Sequence, residues 1–242
     1  MQHQVVSLEA WIEARTDLTA KEKAATHAYD ELGREQRAMP WVWIEKDYVF
    51  EGPSGPVTLA ELFADRSQLF IKHFMLWPGK VRQCVGCSLE VDDVAGLLEH
   101  LHNHDVTYAV VAPAAIADIE AMRRRMDWRF PWVSSLGNDF SLDMPPASYP
   151  DEHPGGNDVF YKNEADEIFH TFQVQDRGGE AFMGIYRMLD VTPKGRDETG
   201  PYYSLADWVR PRTSYARGGE VARDGECHPP ASGCGLSHDP GR

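Results

Sequence analysis

The chain has 242 residues, 42% of them hydrophobic, which is typical of a globular protein with one sizeable core. Its 24 basic and 38 acidic side chains give a net charge of −14, which argues against a nucleic-acid partner, since such proteins bind phosphates through clustered Lys and Arg. The sequence shows neither a basic leader nor an apolar run of about 18 residues, so we expect a cytoplasmic protein that does not enter a membrane.

The first 40 residues are predicted to form a helical extension. Residues 7–39 are rich in Ala, Glu, Lys and Arg, with large apolar side chains at wide spacing. A capping-box pattern from Thr19 to Glu22, in which each side chain can bond the other residue's backbone N–H, predicts that a second helix begins there. The charged residues of these helices are interpreted as a solvent-exposed face.

The next segment is predicted to be a strand. Residues 41–51 are aromatic and β-branched, and turn residues follow at 52–56. Residues 69–75 form an almost uninterrupted apolar run, which is typical of a strand covered on both faces of a sheet.

A CxxC motif formed by Cys84 and Cys87 follows this apolar run. Apolar residues then recur at helical spacing as far as residue 101, and 106–112 is another apolar run. The pattern predicts one helix whose N-terminus carries both thiols, followed by a second buried strand.

The N-terminus of a helix favours negative charge, because its unpaired backbone N–H groups and the peptide dipoles point towards it. A thiolate is negative and is the nucleophilic form of cysteine. We therefore predict that Cys84, the outer thiol, attacks a disulfide, and that Cys87 resolves the mixed disulfide. Lys80 and Arg82 are expected to favour the thiolate, and acidic residues such as Glu90 to oppose it.

The C-terminal half alternates between helix and strand patterns. The predicted elements are a helix that begins at Pro113 and has its core face at 116–126, a hairpin of 158–162 and 167–174, and a helix near 179–189. These patterns predict three segments of the chain: an extension at 1–40, an α/β domain at 41–213 and a disordered tail at 214–242. This order of elements is that of a thioredoxin-like fold, a central mixed sheet flanked by helices.

Several segments resemble one family. They are MPWVWIEKDYVFEGPSGPVTLAELF at 39–63, RSQLFIKHFM at 66–75, CVGCS at 84–88, FPWVSS at 130–135, IFHTF at 168–172 and LDVTPKGRDE at 189–198. Together they resemble the thioredoxin-like domain-of-unknown-function 899 family, whose members are labelled predicted dithiol-disulfide oxidoreductases. The resemblance covers residues 8–213. It implies a thioredoxin-like fold and dithiol-disulfide redox chemistry, but it does not supply a substrate. We expect a redox-active CxxC disulfide without cofactor or metal, and protein or small-molecule thiols and disulfides as partners.

The chain departs from thioredoxin itself beside the cysteines. Gln83 stands where thioredoxin has Trp, and Val85 and Gly86 replace its Gly-Pro pair. Thioredoxins also place a cis-proline before the hairpin, and the nearest proline here is Pro154. The substrate-docking surface and the direction of electron flow therefore stay open.

Three alternatives remain for the thiols. The fold can serve as a binding module with incidental thiols, in which case both sulfurs should be buried. A peroxiredoxin-like peroxidase ranks lower, because neither cysteine is preceded by that family's Pro-x-x-x-Thr/Ser-x-x-Cys pattern. A zinc site would need further ligands.

Histidines and a second pair of cysteines offer metal ligands elsewhere in the chain. His100, His102 and His104 are interpreted as residues at a helix C-terminus, and Cys227, His228, Cys234 and His238 lie in the predicted tail. His73, within an apolar strand, is expected to be a hydrogen-bonded core histidine or to support the thiols.

Overall fold

The structure is a computed structural model, and it describes residues 3–78, 83–144, 155–196 and 209–215. The chain divides into two compact units, Met1–Trp41 and Val42–Arg242. Within the described residues, no helix is both long and apolar enough to span a membrane. The predicted tail lies outside the described residues beyond position 215.

The first unit contains one continuous helix, α1, over Leu8–Arg37. Ser7 caps it by accepting a hydrogen bond from the backbone N–H of Ala10. The prediction that a second helix begins at Thr19 is therefore wrong. Thr19 Oγ1 donates to the carbonyl of Arg15 at 2.8 Å, a bond that a Ser or Thr inside a helix can make, and strong helix formers continue on both sides.

The second unit holds all the other described elements. Its helices are α2 (Leu59–Leu62), α3 (Val85–Val94), α4 (Leu98–Asn103), α5 (Ile116–Met126), α6 (Phe140–Asp143), α7 (Gly184–Asp190) and α8 (Arg212–Tyr215). Its strands are β1 (Val42–Trp43), β2 (Val49–Gly52), β3 (Gly55–Thr58), β4 (Gln68–His73), β5 (Val106–Ala112), β6 (Trp132–Ser134), β7 (Gly156–Lys162) and β8 (Ile168–Gln175). A 3-10 helix over Asp176–Phe182 precedes α7.

The eight strands form one mixed sheet in the order β1-β8-β7-β4-β5-β6-β2-β3. Strands β4, β5 and β6 are parallel, whereas β7 is antiparallel to β4 and β8 is antiparallel to β7. The order β8-β7-β4-β5, with its parallel pair joined through α3 and α4, is the thioredoxin-like arrangement. The predicted fold class is confirmed.

Strand β4 has a core on each of its faces, because successive side chains of a strand point in opposite directions. Phe70 packs with the core that contains the thiols, α3 and α5, whereas Leu69 and Ile71 belong to the core beneath α2 and α6. By the same alternation, Lys72 lies on the side of the thiols and His73 on the opposite side. Lys72 and His73 are thus neighbours in the sequence but lie on opposite faces of the sheet.

Two predicted elements are divided in the structure. The strand expected over 41–51 is divided into β1 and β2, which lie near opposite edges of the sheet. The polar residues 45–47 between them have low strand propensity. The helix expected to reach residue 101 ends at Val94, and α4 begins at Leu98. Gly96 lies between them, and glycine is a poor helix former.

Candidate functional site

The two thiols lie where α3 begins, as predicted. Cys84 is the N-cap residue, with extended backbone angles, and its Sγ accepts a hydrogen bond from the backbone N–H of Cys87 at 3.3 Å. A sulfur atom therefore occupies the position where Ser or Asp usually satisfies an unpaired helix N–H.

Both cysteines are present as thiols and both are buried. Cys84 is 7% exposed and Cys87 is 4% exposed. The expectation that Cys84 is the more exposed of the two holds only by this small margin. Lys80 and Arg82, which were expected to favour the thiolate, lie outside the described residues, as does Pro154.

A side-chain network holds the turn that carries the thiols. Gln83 is fully buried, and its amide donates to Ser88 Oγ at 2.7 Å, while Ser88 Oγ donates to the carbonyl of Cys84 at 2.6 Å. Arg125 of α5 donates to the other end of the Gln83 amide at 2.7 Å. The backbone around Cys84 is thus fixed to two helices.

A buried ion pair lies behind the thiols. Lys72 Nζ of β4 is 2.6 Å from Glu90 Oε2 of α3, and their side chains are 5% and 3% exposed. Burial opposes the charge of Lys72, but the attraction of the Glu90 carboxylate and the Cys87 thiolate outweighs it, so the pKa of Lys72 is raised. An ammonium group therefore lies inside the protein, within the field of Cys87.

The pKa of Cys87 is lowered to about 7. The hydrogen bond with Cys84 is the first cause, burial opposes it, and the positive charge of Lys72 and the backbone N–H of Met75 add to the lowering. The carboxylate of Glu90 acts in the opposite direction. The site therefore stabilises the Cys87 thiolate near neutral pH.

Two further polar groups border this cluster. Tyr108 is buried, and burial together with Glu90 and Cys87 raises the pKa of its hydroxyl. Asn157 of β7 pairs in register with Lys72, and neither its amide nitrogen nor its amide oxygen has a hydrogen-bond partner among the described residues. Buried polar groups are normally satisfied, so the Asn157 amide is available to a water or a substrate atom.

The opposite face of the sheet carries a second buried polar cluster, centred on Asp158 of β7. His170 Nε2 lies 2.7 Å from Asp158 Oδ1, and the amide of Gln173 donates to the same oxygen at 2.9 Å. His73 Nε2 is 2.6 Å from Asp158 Oδ2, in a contact that is poorly aligned for a hydrogen bond. His73 is thus a core histidine on this face and does not support the thiols.

The other candidate ligands do not assemble into a site. His104 Nδ1 lies 2.9 Å from the carbonyl of His100 at the end of α4, as expected for a helix C-terminus. Among the residues described, no group of three or more His, Cys, Asp or Glu is placed to hold a metal ion. The four candidate ligands of the tail at 227–238 lie outside the described residues.

Sequence reasoning identified the thiols but missed Lys72. A signal was present, since Lys is almost never fully buried unless it is paired, and this one interrupts an apolar run. Glu90 opposes the Cys87 thiolate, as expected. Its pairing with Lys72 was missed, because sequence alone does not show which face of α3 packs on the sheet. Asp158 and His170 were likewise recognised only as strand residues.

Comparison with known proteins gives one family and several structural neighbours. The family described as "Bacterial protein of unknown function (DUF899)" matches residues 1–215. No curated protein matches the chain.

Three solved structures illustrate the structural neighbours, and each has low sequence identity to this chain. Peroxidoxin BcpB from Mycobacterium tuberculosis has 10% identity and a TM-score of 0.43, over 62% of this chain and 97% of its own. A thiol:disulfide interchange protein from Bacteroides sp. has 12% identity and a TM-score of 0.41, over 64% and 93%. A PrxQ variant from Xylella fastidiosa has 14% identity and a TM-score of 0.38, over 58% and 89%.

Proposed function

The chain belongs to this family of bacterial proteins of unknown function, and we propose that it is a dithiol-disulfide oxidoreductase acting through Cys84 and Cys87. The observation that supports the proposal is the pair of adjacent thiols at the start of α3 with the buried ammonium of Lys72 behind them. The dipole at the N-terminus of α3 and the buried positive charge of Lys72 both favour the thiolate that this chemistry requires.

The reaction balances as a two-electron exchange. The Cys84 thiolate attacks one sulfur of a substrate disulfide, the substrate S–S bond breaks, and one substrate thiolate leaves. The Cys87 thiolate then attacks Cys84 Sγ and releases the second substrate thiolate. The substrate gains two electrons and two protons, and the protein is left with a Cys84–Cys87 disulfide. The reverse sequence oxidises a dithiol partner.

Lys72 has a defined role in the second step. Once Cys84 is in the mixed disulfide, its thiol no longer donates to Cys87. The ammonium of Lys72 and the backbone N–H of Met75 still face Cys87 and hold its negative charge. These two groups offset part of the loss of the Cys84 hydrogen bond and favour the Cys87 thiolate that attacks Cys84 Sγ.

We propose protein or small-molecule thiols and disulfides of the cytoplasm as the partners. A close thiol pair in a reducing compartment is more often redox-active than structural. A redox titration of the full chain, with Cys227→Ser and Cys234→Ser to remove the tail thiols, tests the proposal. We expect a reversible Cys84–Cys87 disulfide with a potential between about −270 and −120 mV.

Single-cysteine variants assign the roles. Cys84→Ser should abolish exchange with a model disulfide, whereas Cys87→Ser should accumulate a mixed disulfide at Cys84 that mass spectrometry locates. Equal residual turnover in the two variants would contradict the assignment.

The burial of both sulfurs favours a second candidate, a thioredoxin-like binding module whose thiols are structural. Alkylation with iodoacetamide before and after unfolding separates the two functions. A module predicts that both thiols resist alkylation until the protein unfolds and never form the disulfide. The oxidoreductase predicts that Cys84 reacts in the folded protein.

A further inference from the structure

A chain of hydrogen bonds runs from α5 to the backbone of Cys84. Arg125 Nη2 donates to Gln83 Oε1 at 2.7 Å, and Gln83 Nε2 donates to Ser88 Oγ at 2.7 Å. Ser88 Oγ in turn donates to the carbonyl of Cys84 at 2.6 Å. Gln83 and Ser88 are 0% and 1% exposed, so the middle of the chain is closed to bulk water. The chain ends at the residue that carries the outer thiol.

Arg125 sets the direction of this chain. A guanidinium group only donates hydrogen bonds, so the atom of the Gln83 amide that faces it must be the oxygen. The amide nitrogen then faces Ser88 Oγ, which accepts from it and directs its own hydrogen to the Cys84 carbonyl. Without Arg125, the Gln83 amide can turn over and its oxygen can accept the Ser88 hydrogen. The Cys84 carbonyl would then lose that hydrogen bond.

Arg125 differs in its contacts from the two arginines that precede it on α5. Arg123 and Arg124 lie 2.7 and 3.6 Å from the carboxylate of Glu120. Arg125 forms no ion pair with a carboxylate in the part of the chain that the structure describes, and its contact is the amide of Gln83. A hydrogen bond from a charged donor is stronger than one between neutral groups, so Arg125 is a firm anchor for the chain.

The Cys84 carbonyl fixes the backbone that carries the outer sulfur. It accepts hydrogen bonds from Ser88 Oγ and from the Ser88 backbone N–H, the latter at 3.0 Å. Cys84 has the extended backbone of an N-cap residue, with φ −65° and ψ 118°. In this conformation its Sγ lies 3.3 Å from the backbone nitrogen of Cys87. The chain therefore keeps Cys84 Sγ beside the first turn of α3.

The position of Cys84 Sγ matters most in the second step of the proposed exchange. There Cys87 Sγ attacks Cys84 Sγ, the bond from Cys84 to the substrate sulfur breaks, and the substrate thiolate leaves. The attack is intramolecular, so its rate depends on how the protein aligns the sulfurs, whereas a free substrate can adjust its own approach in the first step. We propose, on the basis of this function, that Arg125 is a positioning residue for the second step, because the chain it directs holds Cys84 in place.

The test follows both steps in the full chain, with Cys227→Ser and Cys234→Ser to remove the tail thiols. The reduced protein is mixed with an excess of bis(2-hydroxyethyl) disulfide, a neutral probe, and acid-quenched samples are analysed by mass spectrometry. Loss of the dithiol gives the rate of the first step, and decay of the mixed disulfide gives the rate of the second. Arg125→Met should slow the second step about tenfold or more and change the first by less than about threefold.

Arg124→Met is the matched control. It makes the same change of charge and side chain one residue away, at a side chain that is 68% exposed and contacts Glu120 rather than Gln83. Both steps should keep the rates of the parent protein. Arg125→Lys keeps a charged donor but not the planar guanidinium group, so it should restore part of the rate that Arg125→Met loses.

Ser88→Ala breaks the same chain at its other end and should also slow the second step. The double variant Arg125→Met with Ser88→Ala should resolve the mixed disulfide within about twofold of the slower single variant, because both changes remove one chain. Circular dichroism checks that each variant folds.

Two results would overturn the role of Arg125 and leave the oxidoreductase function intact. One is that Arg125→Met resolves the mixed disulfide as fast as Arg124→Met. The other is that the losses of the two single variants multiply in the double variant, which would show that Arg125 and Ser88 act separately. A parent protein that forms no mixed disulfide at Cys84 would instead refute the oxidoreductase function, and the role of Arg125 with it.

Discussion

Lys72 and Glu90 exert opposite effects on Cys87, so their removal should move its pKa in opposite directions. The double variant Lys72→Met with Glu90→Leu removes both charges. The attraction between Lys72 and the Cys87 thiolate has the larger effect, and the repulsion by Glu90 has the smaller one. The pKa of Cys87 should rise from about 7 by roughly one pH unit. Apolar residues of similar volume can replace a buried ion pair without loss of folding. The pH titration of the Cys87 Cβ chemical shift measures the change.

Glu90→Gln is the complementary variant. It removes the carboxylate that opposes the thiolate and leaves the Cys87 thiolate as the main counter-charge of the buried Lys72 ammonium. While Lys72 stays protonated, the pKa of Cys87 should therefore fall below about 7. Circular dichroism checks that the variant folds, because breaking a buried pair lowers stability. The rate at which a mixed disulfide is resolved at pH 6 should rise accordingly. If both variants shift the Cys87 titration in the same direction, the electrostatic role of the pair is wrong.

Asp158 should make folding stability depend on pH. Its pKa is lowered in the folded protein, so its contribution is present above the unfolded value of about 4 and is lost as the pH falls through the lower folded value. Asp158→Asn should lower the free energy of unfolding by about 3 kcal/mol at pH 7, since it removes a buried carboxylate that His170 and Gln173 hydrogen-bond. Urea unfolding at several pH values measures both effects.

The cost of Asp158→Asn should shrink as the pH falls below about 4, because the unfolded carboxyl then takes up a proton before the native one does. Asp166→Asn, at an exposed position in the β7–β8 turn, is the control and should change stability little. A cost that is the same at pH 7 and pH 3 would show that the loss is one of packing rather than of charge.

At the scale of secondary structure, two threonines with similar sequence surroundings should behave differently. Thr58 makes a true capping box at the start of α2, because its side chain and that of Glu61 each bond the other's backbone N–H. Thr19 lies inside α1 and bonds backward to Arg15. Thr58→Ala should therefore cost about 1 kcal/mol, whereas Thr19→Ala should leave the helix intact or strengthen it slightly.

Thermal unfolding measures the effect at Thr58, and backbone chemical shifts along α1 measure the effect at Thr19. A loss of helical shifts after residue 19 in Thr19→Ala would restore the prediction of two helices. The same four-residue pattern is thus a cap only where the backbone before it is not helical.

Sequence patterns located the elements that hydrophobic periodicity controls. The strand at 106–112, the helix at 116–126 and the β7–β8 hairpin follow such patterns closely. The ends of helices and strands are harder to predict from sequence where they depend on tertiary packing. Whether 41–51 stays one strand depends on which neighbours pair with it, and β1 and β2 pair with strands far apart in the chain.

The candidate site shows the same division. The spacing of Cys84 and Cys87 before an apolar stripe was enough to place both thiols at a helix start. The ion pair behind the thiols could not be predicted in this way, since Lys72 and Glu90 are 18 residues apart and meet only when α3 packs on β4. The Asp158 cluster needed the register of β7 against β8, which a hairpin pattern does not specify.

At the scale of the whole molecule, the sheet separates two polar sites. The thiols and Lys72 lie in the core beneath α3 and α5, and Asp158 lies in the core on the other face. Lys72 and Asn157 are neighbours in one register pair, and Ile71 and Asp158 are neighbours in the next. Because successive side chains of a strand point to opposite faces, β4 and β7 each supply residues to both sites.

The net charge of −14 should influence which disulfides react fastest. An acidic protein attracts cations and repels anions, and salt suppresses both effects as the Debye length falls from about 30 Å at 0.01 M ionic strength to a few Å near 1 M. We expect Cys84 to react several-fold faster with cystamine, a dication, than with 3,3′-dithiodipropionate, a dianion of similar length, at low salt. The ratio of the two rates should fall as salt rises, and using a ratio cancels their other differences in reactivity. A ratio independent of salt would mean that residues beside the thiols, rather than the charge of the whole protein, select the substrate.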